Sequence, residues 1–363
     1  MIPKLALKSV SKTYPGAEIP AVDRIDLTVA PGETLALLGP SGCGKSTTLN
    51  MIVGLEMPSS GVVEIDGQPV TDQPAGRRNV GLVFQDYAVF TATTVRQNLA
   101  FGLSVRKTPK REIARAVAEV AELLGMSDRL DAKAGELGGS EMQRVAIGRT
   151  LVTRPAILLL DEPLSNLESA ARLAMRRELR RLQKEIGLTI IYVTHDQIEA
   201  LSLADRIAVM QAGRIRQVEA ATRILSQPAH AFVASFMGEP PMTLIQGMLA
   251  KGQFEAGALR LPLATDAREG ALILGLRPHG ITLGAAGDSP LRGTVSHIEP
   301  RGPEAVVTVD CAGRAIKIAT PSSRLPALGT TVGLQVPAEA ITLFDGESNL
   351  RLAAAHARLG VPA

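Results

Sequence analysis

Cysteine is scarce: Cys43 and Cys311 are the only two in 363 residues, too few for a disulfide scaffold or a thiolate metal cluster. That points to the cytoplasm. No window approaches the roughly 18 consecutive apolar residues that span a bilayer, and the opening stretch MIPKLALKSVSKTYPG lacks the apolar run of a secretory signal. Work at a membrane would then need another component as anchor. An excess of one charge is lacking too, since 39 Lys and Arg oppose 36 Asp and Glu for a net charge of +3. Without a bulk field to hold polyanions, no nucleic-acid partner is expected. What remains, 45% hydrophobic and 21% charged residues, is the composition of an ordinary folded protein. At roughly 100–200 residues per domain, the length predicts two domains.

Several segments read as strands. LALKSV and RIDLTV are short and alternating, while ETLALLG is a compact apolar run leading into a glycine-rich loop. From Thr93 to Arg129 the pattern turns helical, with Ile113, Val117, Val120 and Leu124 on one face. This predicts an inserted helical subdomain over about 88–152. AILLLDEP and LTIIYVTHD then resume a parallel-sheet pattern, as apolar runs buried on both faces. Between them Met175, Leu179, Leu182 and Ile186 repeat the helical spacing, and Arg172, Arg176, Arg177, Arg180 and Arg181 read as its solvated face. Near residue 240 the Pro-rich MGEPPMT suggests a boundary, giving an α/β domain over 1–238 and a small all-β domain over 239–363, where ALILGL, GTVSHI, AVVTVD and AIKIAT are strand-like.

The glycine-rich loop, Gly39-Pro40-Ser41-Gly42-Cys43-Gly44-Lys45-Ser46-Thr47, satisfies G-x-x-x-x-G-K-[ST] in full. Such a loop wraps backbone amides around nucleotide phosphates at a helix N-terminus. Lys45 adds a point charge for the β- and γ-phosphates, and Ser46 offers its hydroxyl to Mg²⁺. Cys43, inside the loop, is expected to have a lowered thiol pKa and to be reactive. Ile157 to Leu160 deliver Asp161 and Glu162 to the end of a buried strand, where α/β folds bind ligands. Asp161 can hold Mg²⁺ and Glu162 can polarise an attacking water. Alone, His195 after YVT and Gln85 after GLVF would be bland.

Together and in this order, these pieces resemble the ATP-binding subunit of an ATP-binding-cassette (ABC) transporter, and most closely the group energising bacterial sugar importers. The stretches that carry the resemblance are GPSGCGKSTTLNMIVGLEMPSSG, RRNVGLVFQDYAVF, LLLDEPLSNLE, YVTHDQIEALSLADRIAVM, LGLRPHGITL and ITLFDGESNLRL. The resemblance implies a P-loop cassette with a helical insert, followed by an oligomer-binding-type (TOBE) β-domain for dimerisation and regulation. It also implies roles for single residues: Tyr14 as the adenine platform, Gln85 as a link between Mg²⁺ and the membrane partner, Glu162 as general base and His195 as γ-phosphate switch. The implied partners are transmembrane permease subunits, a second ATPase subunit identical or not, and, indirectly, an extracytoplasmic solute-binding protein. The implied location is the cytoplasmic face of the plasma membrane, with a sugar, polyol, glycerol phosphate or polyamine as solute.

One segment departs from that family. In place of LSGGQ the chain has Leu137-Gly138-Gly139-Ser140-Glu141. In relatives this signature closes over the ATP of the opposite subunit. Ser140 with Gln143 forms S-x-x-Q, a capping box that would start the helix at Ser140. Glu168 and Thr91-Ala92 also depart from the usual residues. Two other classes remain to be weighed. A soluble ABC ATPase of DNA repair or translation would carry a long coiled coil or two cassettes, and a small-molecule P-loop kinase would have no use for the signature or the His195 strand end.

Overall fold

Burial patterns separate two kinds of sheet in the first unit of the chain, Met1–Thr222. The structure, a computed structural model, describes residues 2–352 and 357–360. Strand β1 (Leu5–Lys12) pairs antiparallel with β2 (Val22–Val29), whose alternating burial leaves one face to solvent. Strand β3 (Thr34–Leu38) is buried at every position, as a strand covered on both faces must be. β4 (Ser60–Ile65) and β5 (Gln68–Pro69) complete the first sheet in the order β2-β1-β4-β5.

β3 lies inside a six-stranded sheet with β6 (Val80–Val83), β7 (Ile157–Asp161), β8 (Thr189–Thr194), β9 (Arg206–Gln211) and β10 (Arg214–Ala220), in the order β10-β9-β3-β8-β7-β6. All neighbours from β9 to β6 run parallel and β10 is antiparallel. The register aligns Leu38 with Thr194 and Asp161 with Val193. The carboxyl ends of β3, β7 and β8 are therefore level, and the residues that follow them share one edge.

Helix α1 (Lys45–Val53) follows β3. The insert comprises α2 (Val95–Val105), α3 (Lys110–Leu123) and α4 (Gly139–Leu151). Thr94 and Gln97 form a reciprocal capping box that starts α2. Val117, Val120 and Leu124 are buried in the insert's core and Ile113 packs against it, as the spacing predicts. α5 (Ser169–Ile186) and α6 (Gln197–Leu203) complete the unit. Met175, Leu179 and Leu182 of α5 are buried, whereas Ile186 at its end is 45% exposed.

Of the α5 arginines, Arg177 and Arg181 are exposed as a solvated face would be, whereas Arg172, Arg176 and Arg180 are partly buried. Arg180 pairs with Asp205 and donates to Leu203 O, Arg176 reaches Ser202, Arg172 approaches Asp196 and Glu199, and Arg181 donates to Leu123 O. These four, unlike Arg177, staple α5 to the elements on either side.

The second unit, Arg223–Ala363, begins ahead of the Pro-rich segment that suggested a boundary at 238. Its first helix, α7 (Ala231–Phe236), buries Ala231 and Ala234 against Met242, Ile273 and Phe344. The Ala231 amide also donates to Asn349 O at 2.8 Å, so this stretch belongs to the β-domain core. Its strands are β11 (Thr243–Ala250), β12 (Gln253–Ala256), β13 (Leu259–Thr265), β14 (Gly270–Leu276), β15 (Thr282–Gly284), β16 (Arg292–Arg301), β17 (Glu304–Cys311), β18 (Arg314–Pro321), β19 (Thr331–Gln335), β20 (Ile341–Asp345) and β21 (Ala357–Leu359). They form two sheets, β20-β14-β11-β12-β13-β21 and β15-β19-β16-β17-β18, with Phe254, Leu274, Val307 and Ile316 in the core between them.

Candidate active site

The loop from Gly39 to Gly44 joins β3 to α1 under tight backbone constraints. Gly44 caps α1 at a φ of 104°, and a Cβ there would lie 2.4 Å from Ala21 O. At Gly39 a Cβ would lie 2.4 Å from Met210 O. Only glycine permits these approaches. The Gly213 amide donates to Cys43 O at 3.0 Å and holds the loop against the β9–β10 turn. α1 has no acid in its first turn and no side-chain cap, so its leading amides are free for an anion.

Lys45 is 7% exposed, and its ammonium donates to Gly39 O at 2.7 Å and Pro40 O at 3.0 Å. The charge is held beneath the loop by carbonyls that do not neutralise it. The Ser46 hydroxyl lies near enough to the Asp161 carboxylate to favour its charged form, and Thr47 Oγ1 lies 3.4 Å from the half-exposed Tyr14 hydroxyl. Burial, and then the neighbouring Glu162, push the Asp161 carboxyl above its ordinary range.

Glu162 follows β7 at a φ of 44°, a left-handed conformation that a non-glycine residue holds only where its surroundings enforce it. Here its amide donates to Val193 O at 2.9 Å and its own carbonyl accepts from Ser165 Oγ at 2.9 Å. Its Oε2 lies 3.1 Å from His195 Nδ1, on a ring that is 61% exposed. With the proton on Nδ1, His195 donates to Glu162 and leaves Nε2 facing outward. Gln85 reaches the same turn: its Nε2 is 3.4 Å from Ser165 Oγ, and its carbonyl accepts from Asn166 Nδ2 at 2.9 Å.

Cys43 does not fit the reactive thiol expected from its place in the loop. It is 4% exposed and packs with Leu35, Leu49 and Met210 in the core below the sheet edge. Burial pushes its thiol upward and outweighs the nearby Lys45 charge.

The altered signature folds differently from the expected S-x-x-Q box. α4 starts at Gly139 with Gly138 as its cap, and the Gly138 amide donates to Glu141 Oε2 at 3.1 Å. Glu141 Oε1 pairs with Arg129 at 3.2 Å. Gln143 is fully buried, with no hydrogen bond to its side-chain amide, so it cannot return to Ser140. Glu141 wins because it lies three residues after the cap on the solvent side, whereas Gln143 faces the core. Among the described residues, no hydrogen bond or ion pair joins Gly138–Glu141 to the phosphate loop of the same chain.

Arg78 was not visible as a functional residue in the sequence. It is 2% exposed and donates to Met51 O, Ile52 O, Thr71 O and Gln73 O at 2.6–3.1 Å. It thereby caps the C-terminus of the helix whose N-terminus bears the phosphate loop. Ser165 and Asn166 were also missed; their signal was two polar residues set two positions beyond a pair of acids at a strand end, after Pro163 and Leu164.

The cradle, the buried ammonium and the hydroxyl–carboxylate pair fit a nucleotide with a divalent cation. Among the described residues, no group of three or more His, Cys, Asp or Glu could cage a metal. Ser46 and Asp161 therefore suit an ion ligated in addition by phosphate oxygens.

The family profile described as ABC transporter matches residues 22–165, and that described as TOBE domain matches 274–344. Over 306 residues, 84% of this chain and 86% of the relative, the chain is 46% identical to the sn-glycerol-3-phosphate import ATP-binding protein UgpC 3 of Rhizobium johnstonii. The chain belongs to the ABC transporter family. It is also 40% identical over 361 residues, 95% of this chain and 94% of the relative, to the xylose/arabinose import ATP-binding protein XacK of Haloferax volcanii. Among solved structures, cbiO1 from Clostridium perfringens, part of the ABC transporter complex cbiONQ, matches with a TM-score of 0.58 at 30% identity, covering 62% of this chain and 92% of that one. As an ABC chain it is an ATPase, and ATP is the nucleotide of the phosphate loop. No helix among the described residues is long and apolar enough to cross a membrane.

Proposed function

We propose that this chain is the ATP-hydrolysing subunit that energises an import system for a sugar, a polyol or a glycerol phosphate, working as a peripheral subunit on the cytoplasmic face of the membrane. The observation that carries the reading is the convergence of the phosphate loop, Asp161, Glu162 and His195 on one sheet edge. The import relatives support the solute class, which the permease and a solute-binding protein would select. Lys45 and the α1 amides bind the phosphates. Ser46 and Asp161 would hold Mg²⁺, which when bound offsets phosphate charge. Glu162 Oε1 takes the proton of the attacking water while Oε2 is held by His195, whose exposed edge meets the γ-phosphate.

Gln85 lies beside the surface we assign to the permease. There Phe90 and Phe101 are exposed, with ring centroids 4.8 Å apart, and the Arg149 guanidinium stacks 4.3 Å from Phe90 and donates to Ala88 O. The signature of a second ATPase subunit, identical or not, would close over the bound ATP.

Glu162→Gln tests the reading. It should keep ATP affinity and lose about 100-fold or more in turnover, the scale of a lost general base; turnover within about threefold of the parent overturns the assignment.

A further inference from the structure

We infer that Arg172 and Glu199 are positioning residues for the Glu162–His195 pair, an inference that rests on the hydrolytic reading above. The link from β8 to α6 is only two residues long, His195 and Asp196. One carboxylate ties down both of its ends. Glu199, 3% exposed in the first turn of α6, accepts at Oε2 from the Tyr192 hydroxyl at 2.8 Å and the Thr194 hydroxyl at 2.9 Å. Thr194 Oγ1 accepts from the Asp196 amide at 3.0 Å, and Asp196 Oδ1 accepts from the Ile198 and Glu199 amides. The His195 side chain stands outside this ring and meets Glu162 instead.

Arg172 approaches the same carboxylate from α5. Its Nη2 donates at 3.1 Å to Leu167 O, at the end of the turn that begins with Glu162. Its Nη1 lies 3.7 Å from Asp196 Oδ2, and its Nε lies 3.8 Å from Glu199 Oε1. One guanidinium thus touches both the segment that carries Glu162 and the segment that carries His195. Its Nε is buried with no hydrogen-bond partner, a costly arrangement for a charged donor. The Glu199 oxygen it faces at 3.8 Å is about 0.9 Å beyond a charge-assisted bond. At their strand ends the two segments are joined by the β7–β8 pairing and the Glu162 amide; beyond those ends, this guanidinium ties the Leu167 end of the Glu162 turn to the start of α6. Losing it leaves the strand-end bonds in place but loosens the far end of the Glu162 turn against the His195 link, and displacement of a catalytic group by about 1 Å can cost on the order of 100-fold in rate.

The test uses the full-length chain with MgATP and follows phosphate release, binding of a fluorescent ATP analogue and amide hydrogen exchange. Arg172→Gln should lower kcat by about tenfold or more while analogue affinity stays within about twofold. Exchange across residues 163–168 should quicken by about fivefold or more, because the Leu167 turn loses its tie to α6. Arg172→Lys, which keeps the charge, should recover about a third or more of the parent kcat. Glu199→Gln keeps both hydroxyl bonds but not the attraction to Arg172, and combined with Arg172→Gln it should cost no more than the worse single change. Arg172 is a third exposed, so its variants carry the test even if Glu199→Gln fails to fold. Turnover of Arg172→Gln within about threefold of the parent, or a fall in affinity matching the fall in kcat, overturns the inference. A parent chain that binds the analogue but hydrolyses no ATP overturns the hydrolytic reading and this inference with it.

Discussion

Replacing Arg78 by methionine should unseat α1 and the loop it carries. The guanidinium makes four bonds, of which those to Met51 O at 2.7 Å and Ile52 O at 3.1 Å are buried at the last turn of the helix. Those two carbonyls have no helical partner of their own and sit at the negative end of the helix dipole. The fit is close, since a Cβ on Gly54 would lie 2.6 Å from Arg78 Nε. Methionine fills similar length but donates nothing. Water can replace the part-buried bonds to Thr71 O and Gln73 O, so the loss is set by the two buried ones. At roughly 1.5–3 kcal/mol for each bond to a charged group, less some relief from no longer burying the charge, the cost is about 3–5 kcal/mol. For a unit of this size, with about 2–4 °C per kcal/mol, the melting temperature should fall by about 10 °C. Scanning calorimetry reads this directly, and ATP titration should show weakened binding because the loop amides lose their fixed base. A fall of less than about 2 °C would refute the reasoning, since it would mean that the two carbonyls find other donors at no cost.

Three further outcomes follow from the same geometry. Restoring the family signature with Gly138→Ser, Ser140→Gly and Glu141→Gln should fold normally, because a Cβ at Gly138 would meet nothing closer than Glu141 Oε2 at 3.9 Å and the lost surface pair with Arg129 is worth about 0–1 kcal/mol. If the altered signature weakens the grip on the opposite ATP, the purified variant gains about twofold or more in turnover; equal or lower turnover speaks against weakening. Cys43 in the native chain should react with iodoacetamide at pH 8 at about a tenth or less of the rate of a free thiol, since burial raises its pKa; rapid, ATP-protected labelling would show the thiol to be open. Asp161→Asn should raise the melting temperature of the nucleotide-free chain at pH 7. With its pKa raised above 3.8, the folded parent binds more protons than the unfolded chain in that window and loses stability as pH rises through it; an unchanged pH slope in the variant would refute this.

What the sequence reveals about this chain depends on where each residue finds its partners. The phosphate loop is nine contiguous residues and its chemistry is local, so residue types alone mark it. Asp161 and Glu162 are legible because the buried run Ile157 to Leu160 must end at a sheet edge. The contact between Glu162 and His195 has no such signature. It exists because β7 and β8 are adjacent and in register at Asp161 and Val193; the sequence places His195 beside the same sheet edge, at the end of its own buried strand, and the family resemblance gives each residue a role, but neither gives the contact. Spacing rules also overlap. Ser140 with Gln143 and Gly138 with Glu141 both satisfy the capping distance, and the choice falls to Glu141 because Arg129, from another segment, holds its second oxygen. The arginines of α5 read as a solvated face because a helical wheel does not reveal that α6 packs on one flank and the end of α3 on the other. Arg78 is the extreme case, since all its partners are main-chain carbonyls, which every residue type supplies equally. A residue that binds only backbone leaves no pairing pattern for a sequence to display. Positions that hold this nucleotide site from behind are therefore found by following orphaned carbonyls and half-satisfied donors in the structure, as Arg78 and Arg172 show.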